Sequence, residues 1–307
     1  MGSARWNPAD WDRYAASTSS KSRDAIFASR GMNPAFDPKH ISVRESVDSD
    51  VNPQSTPLIV ALDVTGSMGT IPEALIKGSL GTFIEEVYSR KPVTDPHLMF
   101  MGVGDAFYDR APLQVTQFEA DLRIAEQLAA MFLEGGGGGN KSESYHLPWY
   151  FAGLRTKIDS MAKRHTKGYL FTVGDEEVPP ALTVAQAQAV FGDTIERDYS
   201  PADLLALAER SYHVFHIIVE QGNACRAPAS RAAVFETWRE LMGQRVIPLS
   251  DYTRLSEVLV STIQANEGAH VADVAASWSG DTALVVRHAL AGLTSPSAGP
   301  APALTRF

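Results

Sequence analysis

One cysteine, Cys225, stands in 307 residues. That excludes an intramolecular disulfide framework and any site built from several thiolates, and it suits a reducing compartment. No apolar run reaches the roughly 20 residues that a bilayer span needs. Residues 1–30 mix Trp, Asp, Arg and Ser and hold no apolar core of signal-peptide length. Positive charge is the scarcer sign: 27 Lys and Arg against 36 Asp and Glu give a formal charge of -9. No dense Lys/Arg run reverses that balance locally, so neither nucleic acid nor a membrane is expected as a partner. The expectation is a soluble cytoplasmic chain.

What is present suffices for a full core, since 44% of the residues are hydrophobic. Residues 1–56, rich in Ser, Asp, Asn and Pro, lack sustained periodicity and read as an N-terminal extension docked in part through aromatics such as Trp6, Trp11, Tyr14 and Phe27. From Pro57 the texture changes. Leu58-Ile59-Val60-Ala61-Leu62 is a continuous apolar run ending in Asp63, as a central parallel strand buried on both faces requires. Pro72 fits a first helical turn, and Leu75, Ile76, Leu80, Phe83, Ile84 and Val87 follow at helical spacing.

The alternation continues with strands around Leu98 to Val103 and Leu113 to Phe118, and helices from about Asp121 to Leu133 and Glu143 to Arg164. A strand over Gly168 to Val173 then stops at Gly174-Asp175. Helices near Thr183 to Phe191 and Pro201 to Ser211, a strand His213 to Val219, a helix Arg231 to Met242, a strand Arg245 to Leu249 and a helix Tyr252 to Asn266 complete the pattern. Repeated strand–helix alternation implies an α/β fold, a doubly wound and mostly parallel central sheet flanked by helices, over residues 57–268. Residues 269–307 read as one more amphipathic helix, Thr282 to Leu293, and a Pro/Ala/Ser-rich end whose last dozen residues are expected to be disordered.

In an open parallel sheet, ligands bind where strand carboxyl ends meet helix amino ends. Asp63 and Asp175 both hold such positions. Asp63-Val64-Thr65-Gly66-Ser67-Met68-Gly69 places a carboxylate and two hydroxyls at alternate positions of a strand-to-helix loop, where they can converge on one point. Mg2+ or Mn2+ takes roughly six hard oxygens, and neutral hydroxyls leave the ion open to one further anionic ligand.

Asp63, Thr65 and Ser67 together resemble the Asp-x-Ser/Thr-x-Ser motif of the metal-ion-dependent adhesion site of von Willebrand factor A domains, and Gly66 and Met68 fit it too. Asp175 is similar to the aspartate that the family places after its central fourth strand. The resemblance covers roughly residues 57–267. It implies a bound divalent cation (Mg2+, or Mn2+ or Ca2+) and a protein-binding or adaptor role, the ion completing its shell with a partner's carboxylate. It also implies a MoxR-type AAA+ ATPase as partner class, as for cytoplasmic bacterial members. The family's later-loop threonine is absent here. That stretch reads Gly139-Asn140-Lys141-Ser142-Glu143-Ser144-Tyr145, so Asn140, Ser142, Glu143 or Ser144 is left to supply the oxygen.

Other readings fit these residues less fully. Asp, Thr and Ser also cap helices. Asp105, which ends a strand with Asp109 four positions on, could approach the site from behind its ligands, and Glu176 and Glu177 could tune it electrostatically, but ordinary loop acids are the commoner reading of all four. No His pair has zinc-helix spacing, and His213 and His216 read as core or surface residues. The alternative function is a nucleotide or metal-dependent hydrolase using the glycine-rich loop Gly135 to Ser142. Gly135-Gly136-Gly137-Gly138-Gly139-Asn140-Lys141-Ser142 nearly spells a phosphate-binding loop, yet Asn140 replaces the glycine before lysine and the preceding Gln127 to Glu134 reads as helix. Thr65 likewise stands where a serine-nucleophile elbow needs glycine.

Overall fold

A computed structural model describes residues 4–66, 68–134 and 142–294. Ser67, the tract Gly135 to Lys141 with Asn140, and the last dozen residues lie outside the described residues, and with them the expected glycine-rich loop and the expected disordered end.

In chain order the strands among the described residues are β1 (Arg44–Ser46), β2 (Thr56–Asp63), β3 (Pro96–Val103), β4 (Leu113–Val115), β5 (Thr156–Ile158), β6 (Gly168–Gly174), β7 (Tyr212–Val219) and β8 (Val246–Leu249). Six of them form one sheet in the order β4-β3-β2-β6-β7-β8. Every neighbouring pair is parallel except β3 with the edge strand β4. Helices cover both faces, so the sheet is the doubly wound α/β arrangement that strand–helix alternation implies.

The unbroken apolar run of β2 has a direct cause. All eight of its residues are buried, and successive side chains point to opposite faces. Leu58, Val60 and Leu62 enter one core with Phe83, Val87, Val258 and Ile263. Ile59 and Ala61 enter the other with Trp149, Phe191, Leu204 and Trp238.

Residues outside 57–268 contribute to the first of these cores. Trp6, Trp11, Ile26, Phe27 and Phe36 lie in it, as do Val286, Ala289 and Leu290. Asn7 caps the helix Pro8–Ser19, and Trp11 of that helix rests on Gly81, where an added Cβ would stand 1.9 Å from the indole Nε1. Gly81→Val is therefore expected to push the Pro8–Ser19 helix off the domain, with an overpacking penalty of roughly 1–3 kcal/mol. Limited proteolysis checks this, since the variant should be cut before residue 56 far faster than the parent.

Several elements differ from the periodicity. The expected single helix from Glu143 to Arg164 is two helices, Leu147–Arg155 and Asp159–Arg164, separated by β5. β5 exists because β1 offers it a parallel partner, Arg44 beside Thr156 and Ser46 beside Ile158, a pairing no local pattern contains. The expected strand Leu113 to Phe118 stops at Val115, where the Thr116 hydroxyl takes over both backbone groups of Phe100 at 2.9 Å. The expected helix to Leu133 ends at Ala129, and the buried Gln114 side chain satisfies the Phe132 N–H at 2.9 Å and its carbonyl at 2.7 Å instead. After Gly268 there are two helices, Val271–Ala276 and Gly280–Leu290, which cover Leu255–Asn266 from outside and explain why that helix is buried nearly all round. No helix of the described residues is long and apolar enough to cross a membrane.

Candidate metal centre

The sheet's strand order reverses between β2 and β6. From β2 the chain steps outward through β3 to β4, then returns to β6 and steps the other way to β7 and β8. Loops leaving β2 and β6 therefore diverge and leave a crevice at the carboxyl edge, the place where open α/β sheets bind ligands. Leu62 pairs with Val173 across this boundary, which brings Asp63, the last residue of β2, and Asp175, just past β6, to the same crevice.

Asp63 is 1% exposed. Its Oδ1 accepts the Thr65 amide at 2.9 Å and the Thr65 hydroxyl at 2.6 Å, and its Oδ2 accepts the Tyr145 hydroxyl at 3.0 Å. Tyr145 reaches it by passing over Gly174, where a Cβ would come within 1.9 Å of the phenol oxygen. The close approach requires glycine there. Asp175, also 1% exposed, accepts the Ala224 amide on Oδ2 at 2.8 Å, while its Oδ1 is buried without a partner. The turn that supplies Ala224 presses on this carboxylate, because a Cβ on Gly222 would lie 2.3 Å from Oδ2.

Further acids face the same space. Glu143, 2% exposed, and Glu176 each bury an Oε2 that has no hydrogen-bond partner. Asp105 and Asp109 tie the loop after β3, Asp109 Oδ2 accepting the Asp105 amide at 2.7 Å and Asp105 Oδ1 accepting the Phe107 amide at 2.8 Å. Ser144 accepts the Ala106 amide on Oγ at 2.9 Å, so its hydroxyl holds the two loops together. Ser142 is half-buried beside Glu143.

Burial pushes these carboxyls up. Asp63 rises through burial, against the two Thr65 hydrogen bonds and with the charge of Asp175 adding to the rise. Glu143 rises through burial and then the charges of Asp63 and Glu176. Glu176 is pushed up to about 8 by burial and then by Asp63 and Asp175. Asp175 moves the same way through burial, opposed by the Ala224 hydrogen bond. Among the described residues no three acid, imidazole or thiol side chains stand close enough to hold an ion by themselves. A cation in this crevice would draw on hydroxyl and water oxygens as well, as Mg2+ commonly does.

The fold thus brings Asp63, Thr65, Asp175 and Glu143 to one edge. Tyr145 and the Gly222–Ala224 turn had no sequence signal, and Glu176, expected as an exposed acid beside the loop that could at most tune the site, has a buried oxygen. His216 is a core residue, stacked on Trp238 at 3.5 Å between centroids and bonded through Nδ1 to Thr172 Oγ1 at 2.8 Å. Beside Thr65 and Gly66 a cleft of about 310 Å3 opens, its other wall carrying Arg23, Phe27 and Arg30 from the N-terminal segment and Arg110 from the β3–β4 connection.

No family model matches the chain, and no curated protein does. Among solved structures, the pilus adhesin SpaC of Lactobacillus rhamnosus GG in its open conformation aligns with 73% of this chain and 31% of its own, at 8% identity and a TM-score of 0.43. A von Willebrand factor type A protein from Catenulispora acidiphila aligns with 71% of this chain and 44% of its own, at 14% identity and a TM-score of 0.39. The aligned region is less than half the length of either of those chains.

Proposed function

We propose that this chain is a metal-dependent protein-binding module acting in the cytoplasm. One divalent cation, Mg2+ or in its place Mn2+ or Ca2+, is held between β2 and β6 by Asp63, Thr65 and Ser67. Asp175 and an oxygen from Asn140, Ser142 or Glu143 contribute directly or through water. The coordination position left over receives an acidic side chain of a protein partner, for which a MoxR-type AAA+ ATPase is the class that the sequence resemblance suggests.

The observation that carries the reading is the set of buried, unpartnered carboxylate oxygens at the crevice, Asp175 Oδ1, Glu143 Oε2 and Glu176 Oε2. Buried carboxylates without donors are costly unless they pair with or coordinate a cation. When bound, the ion supplies positive charge and an open site for an anionic ligand. The chain's own part is to orient Asp63 through Thr65 and Tyr145 and to clamp Asp175 through Ala224.

Titration calorimetry on metal-stripped protein tests this. Mg2+ or Mn2+ is expected to bind once per chain, and Asp63→Ala is expected to weaken uptake at least about 100-fold, the loss of a charged ligand being worth several kcal/mol. Absence of metal uptake by the parent protein, or ATP binding that Lys141→Ala abolishes, would overturn the proposal in favour of a hydrolase.

A further inference from the structure

A second feature of the carboxyl edge lies beyond the β7 exit turn that clamps Asp175. Between the end of β7, the edge strand β8 and the helix Pro228–Met242 lies a cavity of about 610 Å3, lined by Arg226, Arg231, Arg239, Phe235, Pro248 and His288 among others. Three guanidiniums around one cavity run against the formal charge of -9 of the whole chain. The lining carries one carboxylate, Glu220, and both of its oxygens are engaged. Oε1 accepts from Arg231, and Oε2 lies 2.9 Å from His288 Nε2. Arg226 and Arg239 are exposed and form no direct ion pair among the described residues, although the charge of Arg226 acts on Asp175 in the neighbouring crevice.

Two further observations point to an anion. The helix Pro228–Met242 opens on the cavity with Pro228, Arg231 and Ala232 in its wall, and Ala227 before it provides no side-chain cap. The positive end of the helix dipole therefore lies at this side of the cavity, although Pro228 has no amide hydrogen and the Arg231 amide donates to the Ala227 carbonyl at 2.9 Å. The Phe235 ring also lies against two guanidiniums, Arg231 at 5.5 Å and Arg239 at 4.9 Å. Such contacts hold a flexible side chain in place before a ligand arrives.

We propose that this cavity binds a phosphomonoester with an apolar body. Its phosphate is held by the side chains of Arg226 and Arg239, and its body lies against Phe235, Pro228 and Pro248. Two guanidiniums without carboxylate partners match a dianion, and guanidinium binds phosphate through paired hydrogen bonds. The volume falls in the range of small-molecule sites, well above the needs of a bare ion. Glu220, fixed by Arg231 and His288, repels an anion from its own side of the cavity and so sets the phosphate's position.

The test is calorimetry in the presence of EDTA, so that its failure leaves the metal proposal untouched, with phenyl phosphate, inorganic phosphate and phenol as probes. Phenyl phosphate is expected to bind once per chain, at least about tenfold more tightly than inorganic phosphate and with phenol undetected. Arg226→Ala and Arg239→Ala are each expected to weaken it about tenfold or more, the scale of a charge-assisted hydrogen-bond pair. Arg239→Lys, which keeps the charge and loses the fork, should fall between. No binding of phenyl phosphate, equal affinity for inorganic phosphate, or an affinity unchanged in Arg226→Ala and Arg239→Ala overturns the proposal. The three-probe comparison uses the parent protein alone, so it decides even where a variant fails to fold.

Discussion

Saturating Mg2+ is expected to raise the melting temperature of metal-stripped protein by an amount that grows as the buffer is taken from about pH 5 to about pH 8, because the crevice acids lose stability with rising pH only when no cation is bound. The buried His97, His146 and His216, whose pKa values burial lowers, gain stability with pH equally in both states and cancel from the difference. The direction follows from the crevice acids. Glu176 has an ordinary value of 4.5 and is pushed up to about 8 in the folded chain, chiefly by burial. Asp63 and Glu143 are raised in the same sense and for the same first reason. Between the unfolded and folded values the folded chain keeps a proton that the unfolded chain has released. The contribution is therefore fully present below the unfolded value and is lost as pH rises through the folded one. A bound cation reverses the preference, because its ligands must be ionised, and adds stability of its own, about 2.7 kcal/mol at a hundredfold excess over Kd. Calorimetric melting with EDTA and with Mg2+ measures both effects. A gap between the Mg2+ and EDTA melting temperatures that failed to widen with pH would contradict the burial of these carboxyls, since the histidines contribute alike to both.

Trp238→Ala is expected to lower stability by roughly 3–5 kcal/mol, the usual range for emptying a fully buried tryptophan site, and to disturb the crevice as well. Trp238 is completely buried. It stacks on His216 with planes 7° apart and meets Tyr145 and Trp149 edge-on. Its Nε1 donates to the Glu176 carbonyl at 2.8 Å. One ring thus packs against the tyrosine that orients Asp63 and anchors the backbone beside Asp175. Trp238→Phe separates the two roles: it keeps most of the packing and leaves the Glu176 carbonyl without its donor, a loss of about 1–3 kcal/mol. Denaturant unfolding of both variants gives the stability terms. Mg2+ titration of Trp238→Phe then shows whether the anchor at Glu176 matters to the ion, the expectation being a weaker uptake with unchanged stoichiometry.

The parts of this molecule that could be read from sequence are those whose cause is local. Leu58 to Leu62 read as a buried strand because so short an apolar run, bounded by Pro57 and Asp63, fits a sheet covered on both faces, and its terminal acid stood out for the same reason. Gly168 to Asp175 repeated the pattern. What could not be read depends on distant partners. β5 interrupts a helical pattern because β1, more than a hundred positions earlier, lies beside it. Tyr145 belongs to the crevice because its hydroxyl crosses above Gly174 to an aspartate 82 positions away. Glu176 looked like one more acid beside the loop, and only the fold shows that one of its carboxylate oxygens is buried while Trp238 holds its backbone carbonyl. The arginine-lined cavity is assembled from the β7 exit loop and one face of a helix, with no motif to announce it.

The placement of residues 22–30 carries a consequence for recognition. Arg23, Phe27 and Arg30 form one side of the cleft that opens beside Thr65 and Gly66. On the proposed reading, in which a protein partner enters that cleft, its selection can be retuned in this short stretch by altering charge or bulk, while the strands and the Asp63–Thr65 loop stay as they are.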